Sequence, residues 1–175
     1  MPVDVSALNC LAYAGSGQKW LCGADGTGML YVADRERVAP SAPPYLSFEQ
    51  PSAGLESGFH PDARAYDTPT LARETVVTSL AAAQELGAFG WEALFERAHD
   101  LADRLAGELR ERGFTVGPRS RTTLVAWEDA DPEATVARLA QRDVAIRFLP
   151  GTPYLRASVG AWTDETDLDR LLEAL

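Results

Sequence analysis

Lys19 is the only lysine of this 175-residue chain, and the other 15 of its 16 lysine and arginine side chains are arginines. It lies in the stretch SGQKWLCGADGTG (16–28), after Ser16 and Gln18 and before a glycine-rich turn. A deprotonated lysine amine attacks carbonyl compounds and forms imines, whereas arginine stays protonated. The pattern predicts amine chemistry at Lys19. The alternative is that an arginine-rich composition left one lysine with no special role.

The surroundings of Lys19 suit a phosphorylated aldehyde. Ser16 and Gln18 are polar donors, and the glycines of the turn allow the backbone to approach an anion closely. The stretch is not a Walker A loop, because the order G-x-x-x-x-G-K-[ST] is absent. A glycine-rich turn with one lysine does not by itself identify a reaction.

The segment Asp4–Val32 resembles the lysine segment of class V aminotransferases, which include cysteine desulfurases, selenocysteine lyases and isopenicillin-epimerase-like enzymes. Their [ST]-x-[HQ]-K motif precedes a G-P-x-G-x-G turn, and its lysine carries pyridoxal 5'-phosphate (PLP) as an internal aldimine. The resemblance implies that Lys19 is the catalytic, PLP-bearing lysine and that Ser16 and Gln18 contact the cofactor phosphate. Ala24 stands where the family usually has proline.

Two further matches lie downstream. YLRASVGAWTDETDLDRLLEAL (154–175) is similar to the family's C-terminal segment, whose R-x-S arginine holds the substrate carboxylate; this arginine is Arg156 here. A surface ion pair is the alternative role for Arg156. ARAYDTP (63–69) resembles the segment in which a threonine reaches the PLP phosphate of the neighbouring subunit. This implies a phosphate contact for Thr68 and a homodimer, although Thr68 also suits a helix cap.

The loop before the R-x-S strand distinguishes among the family's reactions. Desulfurases carry a sulfur-accepting cysteine there, whereas this chain reads FLPGTPYLRAS (148–158) with no cysteine. The resemblance therefore implies an amino-acid substrate and an epimerase-, C–S-lyase- or transaminase-like reaction.

The resemblance covers the second half of the family's sequence. It implies an α/β fold, a fragment of PLP-dependent transferase fold type I. Residues 1–67 would end the large PLP-binding domain, and residues 68–175 would form the small C-terminal α+β domain. The preceding half supplies the group that stacks on the PLP ring and the acid that pairs with its nitrogen. If Met1 is the true start, the chain is expected to be a truncated, catalytically incompetent relic; a helical binding module formed by residues 69–112 is a further alternative.

Periodicity predicts the elements that position these residues. Short apolar runs predict buried strands at 11–14 and 29–33, and residues 39–62 read as a long loop. Helices are expected from a Thr68–Pro69 cap to a stop at Gly87 and from Trp91 to Arg112, both with an apolar stripe in the core. After Gly113 the pattern predicts a small α+β layer, with strands at 114–116, 122–127, 144–149 and 154–159, and helices capped by Asp131 and Thr163.

Charge and composition exclude several classes of protein. The net charge of −10 argues against general binding to nucleic acid or to anionic membranes. No apolar run approaches the roughly 20 residues that span a bilayer, and the chain start lacks the basic region of a signal peptide. Cys10 and Cys22 have no set of metal-ligating neighbours in the sequence. We therefore expect a reduced, cytoplasmic protein without a metal site.

Overall fold

A computed structural model describes residues 2–68 and 70–175. The chain forms two compact units, Val3–Ala88 and Phe89–Leu175. The domain boundary expected after residue 67 stays a prediction. The helices are α1 (Val5–Leu8), α2 (Arg73–Phe89), α3 (Trp91–Glu111), α4 (Pro132–Ala140) and α5 (Glu165–Ala174). The strands are β1 (Ala12–Ser16), β2 (Gly28–Val32), β3 (Leu124–Glu128), β4 (Arg147–Phe148) and β5 (Tyr154–Ser158).

The N-terminal unit begins with an antiparallel hairpin of β1 and β2, in which Ala12 lies opposite Val32. Both predicted strands are confirmed within two residues, but the prediction that they are buried is wrong. Met29, Leu30 and Tyr31 are 49, 55 and 36% exposed. Because successive residues of a strand point to opposite faces, neither face of β2 is covered by the described part of the chain.

The predicted loop at 39–62 is compact. It contains two short 3₁₀ helices, Tyr45–Ser47 and Pro51–Glu56. Phe48 and Phe59 form an isolated β-bridge, and their rings stack with centroids 5.1 Å apart. Stacked aromatic side chains give this loop a small apolar centre of its own.

Helix α2 differs from its prediction at both ends. It begins at Arg73, and the Thr68 hydroxyl donates to the Thr70 carbonyl (3.3 Å) and caps no helix. The expected first helical residue, Pro69, lies outside the described residues. The helix continues through Gly87 to Phe89, because the left-handed residue that follows it is Gly90 (φ 86°).

The apolar stripe of α2 is exposed, so its assignment to the core is wrong. None of the residues of α2 is buried, and Val76, Val77 and Leu80 are 48, 64 and 56% exposed. A 3.6-residue period shows which side of a helix would be buried. It does not show whether a covering element is present.

The C-terminal unit is a three-stranded antiparallel sheet, ordered β3-β5-β4, packed against α3, α4 and α5. One face of the sheet and the apolar faces of these helices form its core. The predicted core stripe of α3 is confirmed. The largest fully buried side chains of this unit include Leu105, Leu109, Trp127, Leu139, Leu155 and Leu172.

Smaller differences from the prediction concern short strands and caps. The predicted strand at 114–116 is reduced to one bridge between Val116 and Trp127, and that at 144–149 to the two residues of β4. Asp131 caps α4 as expected, but α5 is capped by Asp164 in a capping box with Asp167.

Candidate active site

A short network of backbone hydrogen bonds shapes the turn that carries Lys19. The Gly17 amide donates to the Thr27 carbonyl (2.8 Å) and closes the end of the hairpin. The Gly23 amide donates to the Gly17 carbonyl (2.9 Å), and the Cys22 amide donates to the Lys19 carbonyl (3.0 Å). Lys19 is thus the first residue of a tight turn that ends at Cys22, whose φ of 52° is left-handed.

Two glycines of this turn are required by the packing of the chain itself. A Cβ at Gly17 would lie 2.5 Å from Thr27 Oγ1, and a Cβ at Gly23 would lie 2.6 Å from Ser79 Oγ. The sequence suggested that these glycines admit an anion. At Gly17 and Gly23 the structure shows a second reason for glycine, since the side chains of Thr27 and Ser79 leave no room for a Cβ.

The side chain of Ser79, on α2, holds the turn by hydrogen bonds. The Ala24 amide donates to Ser79 Oγ (3.0 Å), and this hydroxyl donates to Thr27 Oγ1 (3.1 Å). Thr27 Oγ1 in turn donates to the Ala24 carbonyl (2.6 Å). A proline at position 24 has no amide hydrogen to donate, so the alanine here, where the family usually has proline, allows this additional bond.

The three predicted residues of the turn present their side chains to solvent. Ser16, Gln18 and Lys19 are all exposed. Among the residues that the structure describes, no side-chain hydrogen bond or ion pair involves any of the three. The Lys19 amine is therefore accessible to a carbonyl reagent, and the residues beside it retain their capacity to bind an anion.

Thr68 lies on the wall of a cavity of about 530 Å³ in the N-terminal unit. His60, Arg64 and Arg73 share this wall, as do Leu46, Asp67, Thr70 and Leu71. Hydroxyl and cationic side chains around a cavity suit an anion such as phosphate. Sequence reasoning found Thr68 but missed the neighbouring arginines, since the spacing of isolated arginines carries no motif.

Arg64 is already paired on this wall. Its guanidinium donates to both Asp62 carboxylate oxygens, with distances between 2.7 and 3.1 Å. These hydrogen bonds lower the pKa of the Asp62 carboxyl to about 2. In contrast, Arg73 makes no ion pair with the described residues, so it is the cation of this wall that remains available to a ligand.

Arg156 belongs to the C-terminal unit and lies on β5, the central strand of the sheet. It is half-buried, and its Nε is buried without a hydrogen-bond partner among the described residues. A buried donor left unpaired costs free energy, and a carboxylate relieves this cost by accepting two parallel hydrogen bonds from a guanidinium. This environment fits the predicted substrate contact. The alternative of a surface ion pair has no support, since no carboxylate of the described residues lies within 4 Å of Arg156.

The structure brings Ser16, Gln18 and Lys19 onto one turn and places Thr68 in the same compact unit, whereas Arg156 is in the other unit. Their roles as site residues remain predictions. Among the described residues, no three His, Cys, Asp or Glu side chains are grouped as a metal site would require. Within residues 2–68 and 70–175, no helix has the length and apolar character needed to cross a bilayer.

Comparison with known sequences identifies the family. A sequence model described as "Aminotransferase class-V" matches residues 1–171. The chain is 29% identical over 200 residues to an isopenicillin N epimerase of Streptomyces clavuligerus and 27% identical over 205 residues to that of Amycolatopsis lactamdurans. These alignments cover 100 and 99% of this chain, but only 49 and 48% of the relatives. The chain therefore spans about half the length of these proteins.

Comparison with solved structures identifies the fold. The chain superposes on the cystine C–S lyase C-DES, in complex with its product cysteine persulfide, with a TM-score of 0.85 and 24% identity. The match covers 99% of this chain and 48% of that one. Another structure of the same lyase holds glycine covalently linked to its PLP cofactor. The fold is thus a mixed α/β fragment of the PLP-dependent transferase type.

This chain belongs to the class V aminotransferase family. Members of the family are PLP-dependent enzymes, and the residues of the lysine turn fit this cofactor. The fit rests on an accessible amine and on two polar side chains beside it that make no side-chain hydrogen bond with the described residues.

Proposed function

We propose that this chain carries the PLP-attachment lysine and the substrate-carboxylate arginine of an enzyme that acts on an amino acid. The observation that carries this proposal is the state of Lys19. The only lysine side chain of the protein is exposed and unpaired among the described residues, and it is held on a turn fixed by backbone hydrogen bonds and by the hydroxyl groups of Ser79 and Thr27.

Lys19 would hold the cofactor through its Nζ and move the proton at the substrate Cα. When bound, PLP supplies an electron sink for the electron pair released at that carbon. An amine performs both tasks because its neutral form attacks a carbonyl carbon and its protonated form donates a proton. Arginine performs neither.

Ser16 and Gln18 would donate to the cofactor phosphate from the same turn. Thr68 would donate to the phosphate of the neighbouring subunit in a homodimer, with Arg73 contributing positive charge to the same cavity wall. Two sites completed across a two-fold axis would make dimerisation a condition of cofactor binding.

Arg156 would hold the substrate carboxylate, since its planar guanidinium matches a carboxylate bidentately. The absence of cysteine between Phe148 and Ser158 favours an epimerase-, C–S-lyase- or transaminase-like reaction over sulfur transfer to the protein. The group that stacks on the PLP ring and the acid that pairs with its nitrogen would come from a preceding half of the enzyme. Two free thiols, Cys10 and Cys22, favour the reducing cytoplasm.

The test uses the presence of a single lysine. The chain is incubated with one equivalent of PLP, reduced with borohydride and digested, and the label is located by mass spectrometry. The chain has only two amines, Lys19 and the α-amine, so every adduct is assigned to one of them. We expect Lys19 to be labelled more than the α-amine. We also expect PLP to label Lys19 about tenfold more than pyridoxal does, because hydrogen bonds to the charged phosphate contribute about 1.5–3 kcal/mol.

The matched variants are Lys19→Arg, which keeps the charge, and Ser16→Ala, which removes one phosphate donor. Lys19→Arg should leave only the α-amine adduct, and Ser16→Ala should reduce the preference for PLP over pyridoxal. Equal labelling of both amines, or no preference for the phosphate, would contradict the proposal.

A second candidate is a catalytically incompetent relic that keeps Lys19 and the fold; the chain spans about half the length of the relatives that it matches. The two candidates differ in one measurement, the exchange of the Cα proton of an amino acid in deuterated water in the presence of PLP. If the unaltered chain exchanges the Cα proton faster than the Lys19→Arg variant does, the result supports the proposal of an enzyme. Selective labelling without exchange, in a preparation containing every polypeptide that copurifies with the chain, supports the relic.

A further inference from the structure

Two arginines face each other on the sheet of the C-terminal unit. Arg147 of β4 lies directly opposite Arg156 of β5 in the antiparallel register. Side chains of directly opposite residues project from the same face of a sheet, with Cβ atoms about 4.5–5.5 Å apart. Two positive charges are therefore adjacent on one face.

This pairing is unfavourable in the chain by itself, because like charges opposite each other destabilise a sheet. It does not result from a lack of carboxylates, since acidic residues outnumber basic ones by 26 to 16. Several other arginines have acidic partners, in the pairs Arg64–Asp62, Arg97–Glu165, Arg104–Glu108, Arg119–Asp103 and Arg121–Glu96. Arg147 and Arg156 have no such partner among the described residues.

The face that carries the two arginines is more polar than the core face, although it also includes Leu124, opposite Ser158. The opposite face of the sheet supplies Trp127 and Leu155 to the core. On the arginine face, the neighbours along β5 are Tyr154 and Ser158, and Ala126 is the cross-strand neighbour of Arg156 on β3.

One carboxylate lies on this face, and its hydrogen bond leads away from the arginine pair. Glu128, opposite Tyr154, accepts a hydrogen bond from the Tyr154 hydroxyl (3.3 Å). The small side chain of Ala126 leaves room beside Arg156. Nothing on this face within the described residues neutralises the two guanidinium groups.

We infer that Arg147 is a second anion-binding residue of the site and that the substrate class is a dicarboxylate, an amino acid with an acidic group in its side chain. This inference rests on the proposed function, in which Arg156 holds the first carboxylate. A monocarboxylate would leave one charge of the pair uncompensated. A second carboxylate, accepting hydrogen bonds from Arg147, neutralises the pair.

The test measures recognition of the two carboxylates without PLP. The full chain, labelled with ¹⁵N at arginine, is titrated with glutarate and separately with butyrate, which is glutarate without one of its two carboxylates. The arginine Nε–H resonances are followed by NMR. We expect glutarate to shift the resonances of both Arg147 and Arg156 and to bind about tenfold more tightly than butyrate, a difference of about 1.4 kcal/mol.

The variants assign the effect to Arg147. Arg147→Gln should lower the affinity for glutarate to that for butyrate. Arg147→Lys should keep part of the preference for glutarate, because lysine retains the positive charge but lacks the planar guanidinium that binds a carboxylate with two hydrogen bonds. Arg142→Gln is the matched control, since it removes an exposed, unpaired arginine outside the sheet, and it should keep the full preference.

A preference for glutarate that survives Arg147→Gln, or the absence of any preference in the unaltered chain, would overturn the inference. The melting temperature gives a second readout: relief of like-charge repulsion should leave it unchanged or raised in Arg147→Gln, and a marked fall would also overturn the inference. Because neither measurement involves PLP, failure here is distinct from failure of Lys19 to bind the cofactor.

Discussion

Ser79 Oγ accepts a hydrogen bond from the Ala24 amide at 3.0 Å, across 55 residues of sequence. This bond, with that from Ser79 to Thr27, connects the middle of α2 to the turn that holds Lys19. The position of the Lys19 backbone therefore depends on a residue of this helix, for which no chemical role is proposed.

Replacement of this hydroxyl is the first prediction. Ser79→Ala should leave the half-buried Ala24 amide unpaired and lower the free energy of unfolding of the N-terminal unit by about 1–2 kcal/mol. The change is measured by urea unfolding followed by hydrogen exchange at residues 17–27. Thr78→Ala is the control, because the Thr78 hydroxyl bonds only to the Glu74 carbonyl in its own helix. Equal protection of the turn in both variants would show that Ser79 does not hold it.

The second prediction concerns the packing of the turn. In Gly17→Ala the new Cβ would lie 2.5 Å from Thr27 Oγ1 and 3.1 Å from the Thr27 carbonyl. Relief of this overlap requires the hairpin end to move, at a cost of about 1–3 kcal/mol. Labelling of Lys19 by PLP should decrease in parallel. Gly58→Ala, where a Cβ meets no atom within 4 Å, should change neither stability nor labelling.

A third prediction distinguishes the two compact units by their cores. Leu105→Ala, in the fully buried part of α3, should destabilise the C-terminal unit by about 2–5 kcal/mol. The indole N–H resonance of the fully buried Trp127, followed by NMR, reports that unit during unfolding. Val77→Ala, on the exposed stripe of α2, should change stability by less than about 0.5 kcal/mol. A large loss in Val77→Ala would mean that the stripe is covered in solution.

The fourth prediction concerns the titration of Asp62. The hydrogen bonds from Arg64 lower the pKa of this carboxyl from its ordinary 3.8 to about 2. A carboxyl whose pKa is lowered by folding stabilises the folded state above its ordinary pKa, and this contribution is lost as the pH falls from about 4 to about 2. NMR titration of the Asp62 side-chain carbon should show a midpoint near 2. In Arg64→Gln the midpoint should rise toward the ordinary value, and an unchanged midpoint would exclude Arg64 as its cause.

The sequence predicts local features of this chain better than long-range ones. The Asp131 cap, the α3 stripe and both strands of the hairpin follow from neighbouring residues, and the structure confirms them. Thr68 fails as a cap because the helix starts later, at Arg73, and Thr163 is displaced by the stronger capping box of Asp164. In both cases more than one residue near the start of the helix could have been its cap, and only the folded chain shows where the helix begins.

The residues of the candidate site also divide into those predicted from local sequence and those found only in the structure. Lys19 is recognisable from its motif because its neighbours are adjacent in sequence. Ser79 and the opposition of Arg147 to Arg156 depend on contacts between distant segments, which have no local signature. The α2 stripe is an error of another kind: the period predicts a helix, which forms at Arg73–Phe89, but none of the residues of this helix is buried.

The two strand edges of the β1–β2 hairpin that pair with no other described strand have a consequence for the behaviour of the protein in solution. In the described chain, β1 and β2 pair only with each other, and unpaired strand edges recruit further strands. The open edges therefore favour strand pairing between copies of the chain, and self-association should increase with protein concentration.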